Sequence, residues 1–244
     1  MFNSINHNNN KNLLNKGYFS NLNKKIIYSV YMIIKNEFNK KLGRKCKVSL
    51  IEQIMITLFK LRYNLPDRIL EDLFKIDHVT ISRIIIRISL YMTKIKINIK
   101  DRDNDYYIVD STVLRIGKGK NKETYSGYKH HHGIKFQLVI NHKSMIEHVS
   151  KSYSSSIHDK RLFINEYKVN IPTKRNEVKY KENKNLSKSE NKILSSKRIK
   201  VEHVFAYIKS YRIMQRLNYY TKNKIEILFN SIANLYNLQQ LFKI

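Results

Sequence analysis

The chain is poor in several residue types at once. Among 244 residues there are one cysteine, two prolines, six glycines and no tryptophan. A lone thiol, Cys46, excludes internal disulfides and cysteine-built zinc sites. It fits a reducing compartment, so the expected location is the cytoplasm, with nucleoid association if the host is bacterial. No apolar run approaches the roughly 18 residues that a membrane span requires. The best candidate, "ISRIIIRISLYM" (81–92), is broken by Arg83 and Arg87. The opening "MFNSINHNNNKN" lacks the apolar core of a secretory leader, and none is expected. Acids are scarce as well: 19 Asp and Glu stand against 47 Lys and Arg, a net charge of +28. Such a chain repels itself unless it meets a polyanion. Nucleic acid is the natural partner, because neutralised phosphates release their condensed counterions. Hydrophobic residues still make up 42%, enough for a packed core and too many for wholesale disorder.

The chain divides into three by pattern. Residues 1–24 are rich in Asn and Lys without periodicity and read as a disordered arm. Residues 25–99 read as helices. Ile27, Val30, Ile33, Ile34 and Phe38 fall at threes and fours across 25–42. Ser49 and Glu52 form a capping box opening "LIEQIMITLFKLR", Pro66 suits the start of "DRILEDLF", and Asp77 can cap "HVTISRIIIRISLYMTKIK". Three helices with a tight turn before the third make the helix-turn-helix layout. In the third, Ile81, Ile84, Ile85 and Ile88 form the buried stripe, while Thr80, Ser82, Arg83 and Arg87 lie toward the other side and are candidate DNA contacts. An ordinary helical hairpin with a solvated basic face gives the same spacing; the net charge favours DNA. From residue 100 to 244 the pattern is α/β, of the α+β kind. "YYIVDSTVLRI" (106–116), "GIKFQLVIN" (133–141) and "MIEHVSKSY" (145–153) are strands with a turn at 142–144. Residues 174–192 read as an exposed loop, and about 186–244 as helix.

Two acids stand out. Asp110 closes the apolar half of the first strand, a place for a metal ligand and equally for a turn-forming Asp. Glu202, in "SSKRIKVEHVFAYIKSYR" (195–212), borders the apolar face made by Val201, Val204, Phe205 and Ile208. Arg198 and Lys209 share its side, which allows a helix salt bridge worth a few tenths of a kcal/mol or a metal ligand at the rim of a cationic groove. Two or three convergent carboxylates hold a pair of hard divalent ions about 4 Å apart, the design used on phosphodiesters.

These stretches resemble a known family. "LIEQIMITLFKLRYNLPDRILEDLFKIDHVTISRII" is similar to the helix-turn-helix of insertion-sequence and Harbinger-class transposases. The combination of "DST", "YSG" with "HxxK", "HDK" and "RxxVEH" resembles the DDE-superfamily endonuclease domain of those proteins, over about residues 45–215. The resemblance implies an RNase H-like mixed sheet flanked by helices, and two-metal cleavage and joining of double-stranded DNA at element ends and target, with Mg²⁺ or Mn²⁺. It implies a possible homodimer on DNA. Asp110 would be the first acid and Glu202 the last, both metal ligands. Tyr125, Lys129, His132 and Lys135 match the "YSG…HxxK" segment and would contact phosphate or organise the site; His130–His132 suit backbone or phosphate contacts better than one ion. The family's second Asp, in an "ADxGY" context, should fall between Phe163 and Ile171, and no Asp occurs after Asp159. One strand is therefore expected to be missing. Asp159, in "HDK", and Glu166 are the candidate replacements. Three functions stay open: an active transposase, a DNA-binding relic with an incomplete site, and an unrelated basic RNA-binding protein.

Overall fold

The computed structural model describes residues 24–38, 47–95, 106–117, 124–127, 130–170, 188–215, 217 and 220–242. The N-terminal arm, Lys129 and residues 171–187, where most of the expected loop falls, lie outside them. Contacts group the chain into two units, Met1–Ile97 with Asn230–Ile244, and Asn98–Phe229. The C-terminal stretch that the sequence pattern joins to the second domain thus groups with the first.

The first unit holds helices α1 (Lys24–Phe38), α2 (Leu50–Tyr63), α3 (Asp67–Phe74) and α4 (His78–Thr93). In α1, Ile27, Val30 and Ile34 are buried as the spacing predicts. Ile33 is not: it is 43% exposed, because it lies one residue off the stripe. The Ser49–Glu52 capping box forms in both directions and starts α2. Residues Gln53 to Leu61 are all buried, so α2 is the unit's central helix, enclosed all round. Its exit is fixed by three devices. Asn64 adopts the left-handed conformation that ends helices (φ 50°). Pro66 stands just before α3, and the carbonyl of Pro66 accepts from Ile69 and Leu70 N–H. The buried Lys60 ammonium donates to Leu65 O (2.6 Å) and Asp67 Oδ1 (2.7 Å), stapling the turn. A second tight turn follows. Lys75 is left-handed (φ 56°), Asp77 caps α4 through Val79 and Thr80 N–H, and the His78 ring pairs with Glu71 (3.0 Å). Ile81, Ile84, Ile85 and Ile88 are buried as expected. Ser231 donates to Ser89 O and Asn234 to Met92 O, tying the C-terminal residues to α4.

The second unit is built on strand β3 (His131–Asn141), with β1 (Tyr107–Arg115) antiparallel to it from Tyr107↔Asn141 to Arg115↔Gly133. Strands β2 (Tyr125–Ser126), β4 (Ile146–Val149) and β5 (Tyr153–Ser154) also pair with β3. β3 is buried from Gly133 to Asn141, as a strand covered on both faces must be. The expected third strand is thus two short ones, β4 and β5, separated where Ser150 turns its hydroxyl to Gln137 N–H (2.8 Å). The 142–144 turn is present, with Ser144 left-handed (φ 64°) and the Asn141 side chain accepting from Lys143 and Met145 N–H. Helices α5 (Asp159–Asn170), α6 (Lys188–Ser210) and α7 (Lys222–Leu241) and a 3₁₀ turn (Arg212–Gln215) complete the described elements. Helix α6 begins at Lys188, inside the stretch that reads as loop. Phe136 and Phe229 stack face to face at 4.0 Å in the core of this unit. The class is α+β. All pairings among the described residues are antiparallel, so the parallel part of a mixed sheet is not among them.

Candidate active site

Three elements of the second unit carry the candidate acids. β1 supplies Asp110, opposite Leu138 of β3. Its Oδ1 accepts from Ser111 N–H (2.8 Å), and Arg198 Nη2 lies 3.7 Å from its Oδ2. Burial holds the Asp110 carboxyl above the usual carboxylate range; the Ser111 N–H and Arg198 oppose this, and the charges of Asp159 and Glu202 reinforce it.

Helix α6 is set by its own stripe and by two cations. Val201, Val204 and Ile208 are fully buried and Phe205 nearly so, while Glu202 and Arg198 are exposed. Lys200 donates to Tyr106 OH (3.1 Å) and to His142 O (2.8 Å). The Lys197 ammonium lies 4.1 Å from the centre of the Tyr106 ring, a cation–π contact. These contacts pin α6 over the start of β1 and the β3–β4 turn, which fixes the height of Arg198 and Glu202 along β1. Sequence reading missed Tyr106, Lys197 and Lys200, because the partners are nearly a hundred residues apart.

Asp159 is the first residue of α5. Its Oδ1 accepts from Lys135 Nζ at 2.8 Å, and the same ammonium donates to Ile157 O at 2.5 Å. Lys135 is only 8% exposed and is held inward by these two contacts. Glu166 is no free stand-in for a missing acid. It is 4% exposed and accepts from Lys151 N–H (3.1 Å), Tyr153 OH (2.7 Å) and the His148 ring (3.3 Å). The Tyr153 phenol is pushed up to about 12 by burial and by that carboxylate.

The remaining candidates are scattered. His132 hydrogen-bonds Thr124 (2.9 Å) and meets the Tyr125 ring edge-on, and His131 turns to His132 O. Exposed His130 is left-handed (φ 51°). Lys209 is exposed on α6, and its carbonyl accepts from Gln215. In the first unit Arg83 is exposed and Thr80 and Ser82 half-buried. Arg87 is held inward: Nη2 donates to Gln53 Oε1 at 2.6 Å, and the guanidinium lies 5.7 Å from the Phe38 ring centre. Glu71, Asp77 and His78 bring ligand-type atoms within 4.8 Å of one another. The helix cap and the Glu71–His78 pair at the turn account for that cluster.

One unit has the three helices and tight turns of a helix-turn-helix, and the other brings Arg198 of α6 to Asp110 of β1; both are parts expected of a DNA-processing protein. The chain belongs to the DDE superfamily endonucleases: residues 109–237 match that family, and residues 46–92 match the helix-turn-helix of DDE superfamily endonuclease. It is a transposase-family DNA-binding protein of the nuclease type. Neither the curated proteins nor the solved structures searched gave a match. Among the described residues no helix is long and apolar enough to cross a membrane. Endonucleases of this superfamily work with divalent metal ions. Asp110 and Glu202 offer the carboxylate oxygens that such hard ions take, although among the described residues Glu71, Asp77 and His78 are the one group of three with ligand atoms within 4.8 Å of one another.

Proposed function

We propose that this chain binds mobile-element ends as double-stranded DNA through Arg83 and the N-terminal part of α4, and cleaves and joins phosphodiesters at Asp110 and Glu202 with Mg²⁺ or Mn²⁺. The reading keeps residues 25–99 as the DNA-binding domain and 100–244 as the endonuclease domain, in an insertion-sequence or Harbinger-like lineage, acting in the cytoplasm and as a dimer across two ends. The observation that carries it is Arg198 of α6 lying 3.7 Å from Asp110 of β1, which brings the helix of Glu202 to the strand of Asp110 within the stretch that matches the endonuclease family. Asp110 and Glu202 would hold the metal. When bound, the ions activate water or a 3′-hydroxyl and stabilise the leaving oxygen. The protein's own part is orientation. Lys197 and Lys200 fix α6, and Arg198 and Lys209, both exposed on that helix, meet phosphate.

A second reading rests on a sequence fact: no Asp follows Asp159, so the family's "DxGY" acid is missing. The chain then binds DNA and does not cut it, since binding and transition-state stabilisation are separable. Incubation of the full chain with end-sequence DNA in Mg²⁺ or Mn²⁺ decides between them. Nicking by the wild type, lost in Asp110→Asn with DNA affinity retained, supports cleavage. Binding without nicking at any metal concentration supports the relic.

A further inference from the structure

We propose that Val79, in the first turn of α4, is a specificity-determining residue that packs on the 5-methyl group of a thymine in the major groove. This rests on the helix-turn-helix binding duplex DNA, as above, and adds what it reads there.

The neighbouring side chains are already committed. Asp77 caps the helix, its Oδ1 accepting from Val79 and Thr80 N–H at 3.0 and 3.1 Å. The His78 ring is turned back to Glu71 at 3.0 Å. Ile81, Ile84, Ile85 and Ile88 are in the core. Arg87 is held by Gln53. The first two turns therefore present Val79, 44% exposed, and Arg83, also exposed, with Ser82 half-buried between them. Val79 and Arg83 are four residues apart and share a face.

Base pairs differ in the major groove by their hydrogen-bonding groups and by the thymine methyl. Helix α4 contains no Asn, Gln, Lys, Asp or Glu, so most of the side chains that recognise base edges by hydrogen bonds are missing from it. A serine hydroxyl donates or accepts and so discriminates little. Arg83 is the exposed cation of the helix, and phosphate contacts set register without carrying sequence. Val79 is then the group that can tell one base pair from another. The fold does not need it there: an exposed valine adds nothing to the core, and its β-branched side chain slightly disfavours helix. Against a thymine methyl, two wetted apolar surfaces become one dry contact. The DNA contacts read from sequence alone were polar or cationic, so this residue was passed over.

The test selects duplexes from a random-sequence pool with the full chain. Each thymine of the preferred duplex is then replaced in turn by deoxyuridine, which removes only the 5-methyl and keeps the base pair. At one position the replacement should weaken binding by about 4-fold, the worth of one buried methyl-sized group. Val79→Ser should bind the thymine duplex more weakly, and its thymine-to-deoxyuridine ratio at that position should fall to about 1. Val79→Thr, which keeps one methyl, should retain part of the ratio. The slope of affinity against salt should stay as in the wild type in both variants, since no charge is removed. A pool that yields no preferred sequence, a preferred duplex insensitive to deoxyuridine, or a Val79→Ser ratio equal to the wild type's would each overturn the proposal. Arg83→Ala is the separate control: it should weaken binding to every duplex and leave the ratio intact. If it weakens none, the helix-turn-helix reading itself fails, whatever Val79 does.

Discussion

Arg83 and Arg87 sit one helical turn apart on α4 and look equivalent in sequence, yet the structure gives them different work. Arg83 is exposed near the start of the second helix of the helix-turn-helix, where side chains of this motif reach DNA. Each phosphate neutralised contributes about 0.9 to the slope of log affinity against log salt. Arg83→Ala should therefore lower that slope by about 0.9. Between 50 and 200 mM salt this amounts to about a 3.5-fold smaller loss of affinity than the wild type shows. Its melting temperature should hardly move, since an exposed side chain is removed. Arg87 is different. It donates to Gln53 Oε1 at 2.6 Å, Gln53 is fully buried, and Gln53 Nε2 is already given to Val48 O. Arg87→Ala leaves the buried Oε1 without its charged donor, a loss of about 1.5–3 kcal/mol, and removes the cation from beside Phe38, about 0.5–1 kcal/mol more. The unit should melt several degrees lower with an unchanged salt slope. Fluorescence anisotropy on labelled duplex across salt, with calorimetry of the same samples, reads both quantities. The assignment is refuted if Arg83→Ala leaves the slope intact, or if Arg87→Ala lowers the slope and spares the melting temperature.

Two further changes probe the second unit. At Gly133 an added Cβ would lie 2.5 Å from Val113 Cγ1 and 3.1 Å from Leu114 O, so Gly133→Ala must move the β1–β3 pairing; we expect about 1–3 kcal/mol of destabilisation by urea unfolding, and a loss below about 0.5 kcal/mol would show that the contact relaxes freely. Tyr153 is held protonated up to about 12, above the ordinary 10, so its contribution to stability is complete below pH 10 and is lost as pH rises from there through 12. Tyr153→Phe should be less stable at pH 8 by about 1.5–3 kcal/mol, and the gap to the wild type should close across that window in alkaline unfolding curves.

Local devices were legible and long-range ones were not. The Ser49 capping box, the Asp77 cap, the isoleucine stripe of α4 and the turn after Asn141 depend on residues within a few positions of each other, and periodicity and cap chemistry report them directly. Asp110 and Glu202 are candidates for another reason: each is an acid out of keeping with its basic or apolar surroundings, and the family resemblance gives both a role. Burial of a cation leaves no such trace. Arg87 reads as a DNA contact, and Lys135 as either a phosphate contact or an organiser of the site, because sequence shows charge and hides depth; only the fold reveals that Lys135 faces Asp159 and Arg87 faces Gln53. Nor does any local signal announce that the residues from Asn230 onward join the first unit through Ser89 and Met92.

The scarcity of acids sharpens the meaning of those that remain. In a chain of charge +28 most carboxylates described here serve the fold. Glu52 closes a capping box, Asp67 answers Lys60, Asp77 caps α4, Glu71 meets His78, Glu166 anchors α5, and Glu226 takes the N–H and hydroxyl of Ser152. Each of these gathers donors, as an anion in a cationic protein readily can. Asp110 is different. Its carboxyl is partly buried on β1, and that burial pushes it above the usual carboxylate range, with the charges of Asp159 and Glu202 as smaller contributions. One backbone N–H and a guanidinium at 3.7 Å are modest company for a carboxylate removed from water. Asp159, by contrast, pairs with Lys135 at a helix N-terminus, and Glu202 lies exposed on α6. A divalent cation at Asp110 would offset the cost of burying that carboxylate, so weaker Mn²⁺ binding in Asp110→Asn, read by electron paramagnetic resonance, is the expected outcome, and unchanged binding would refute it.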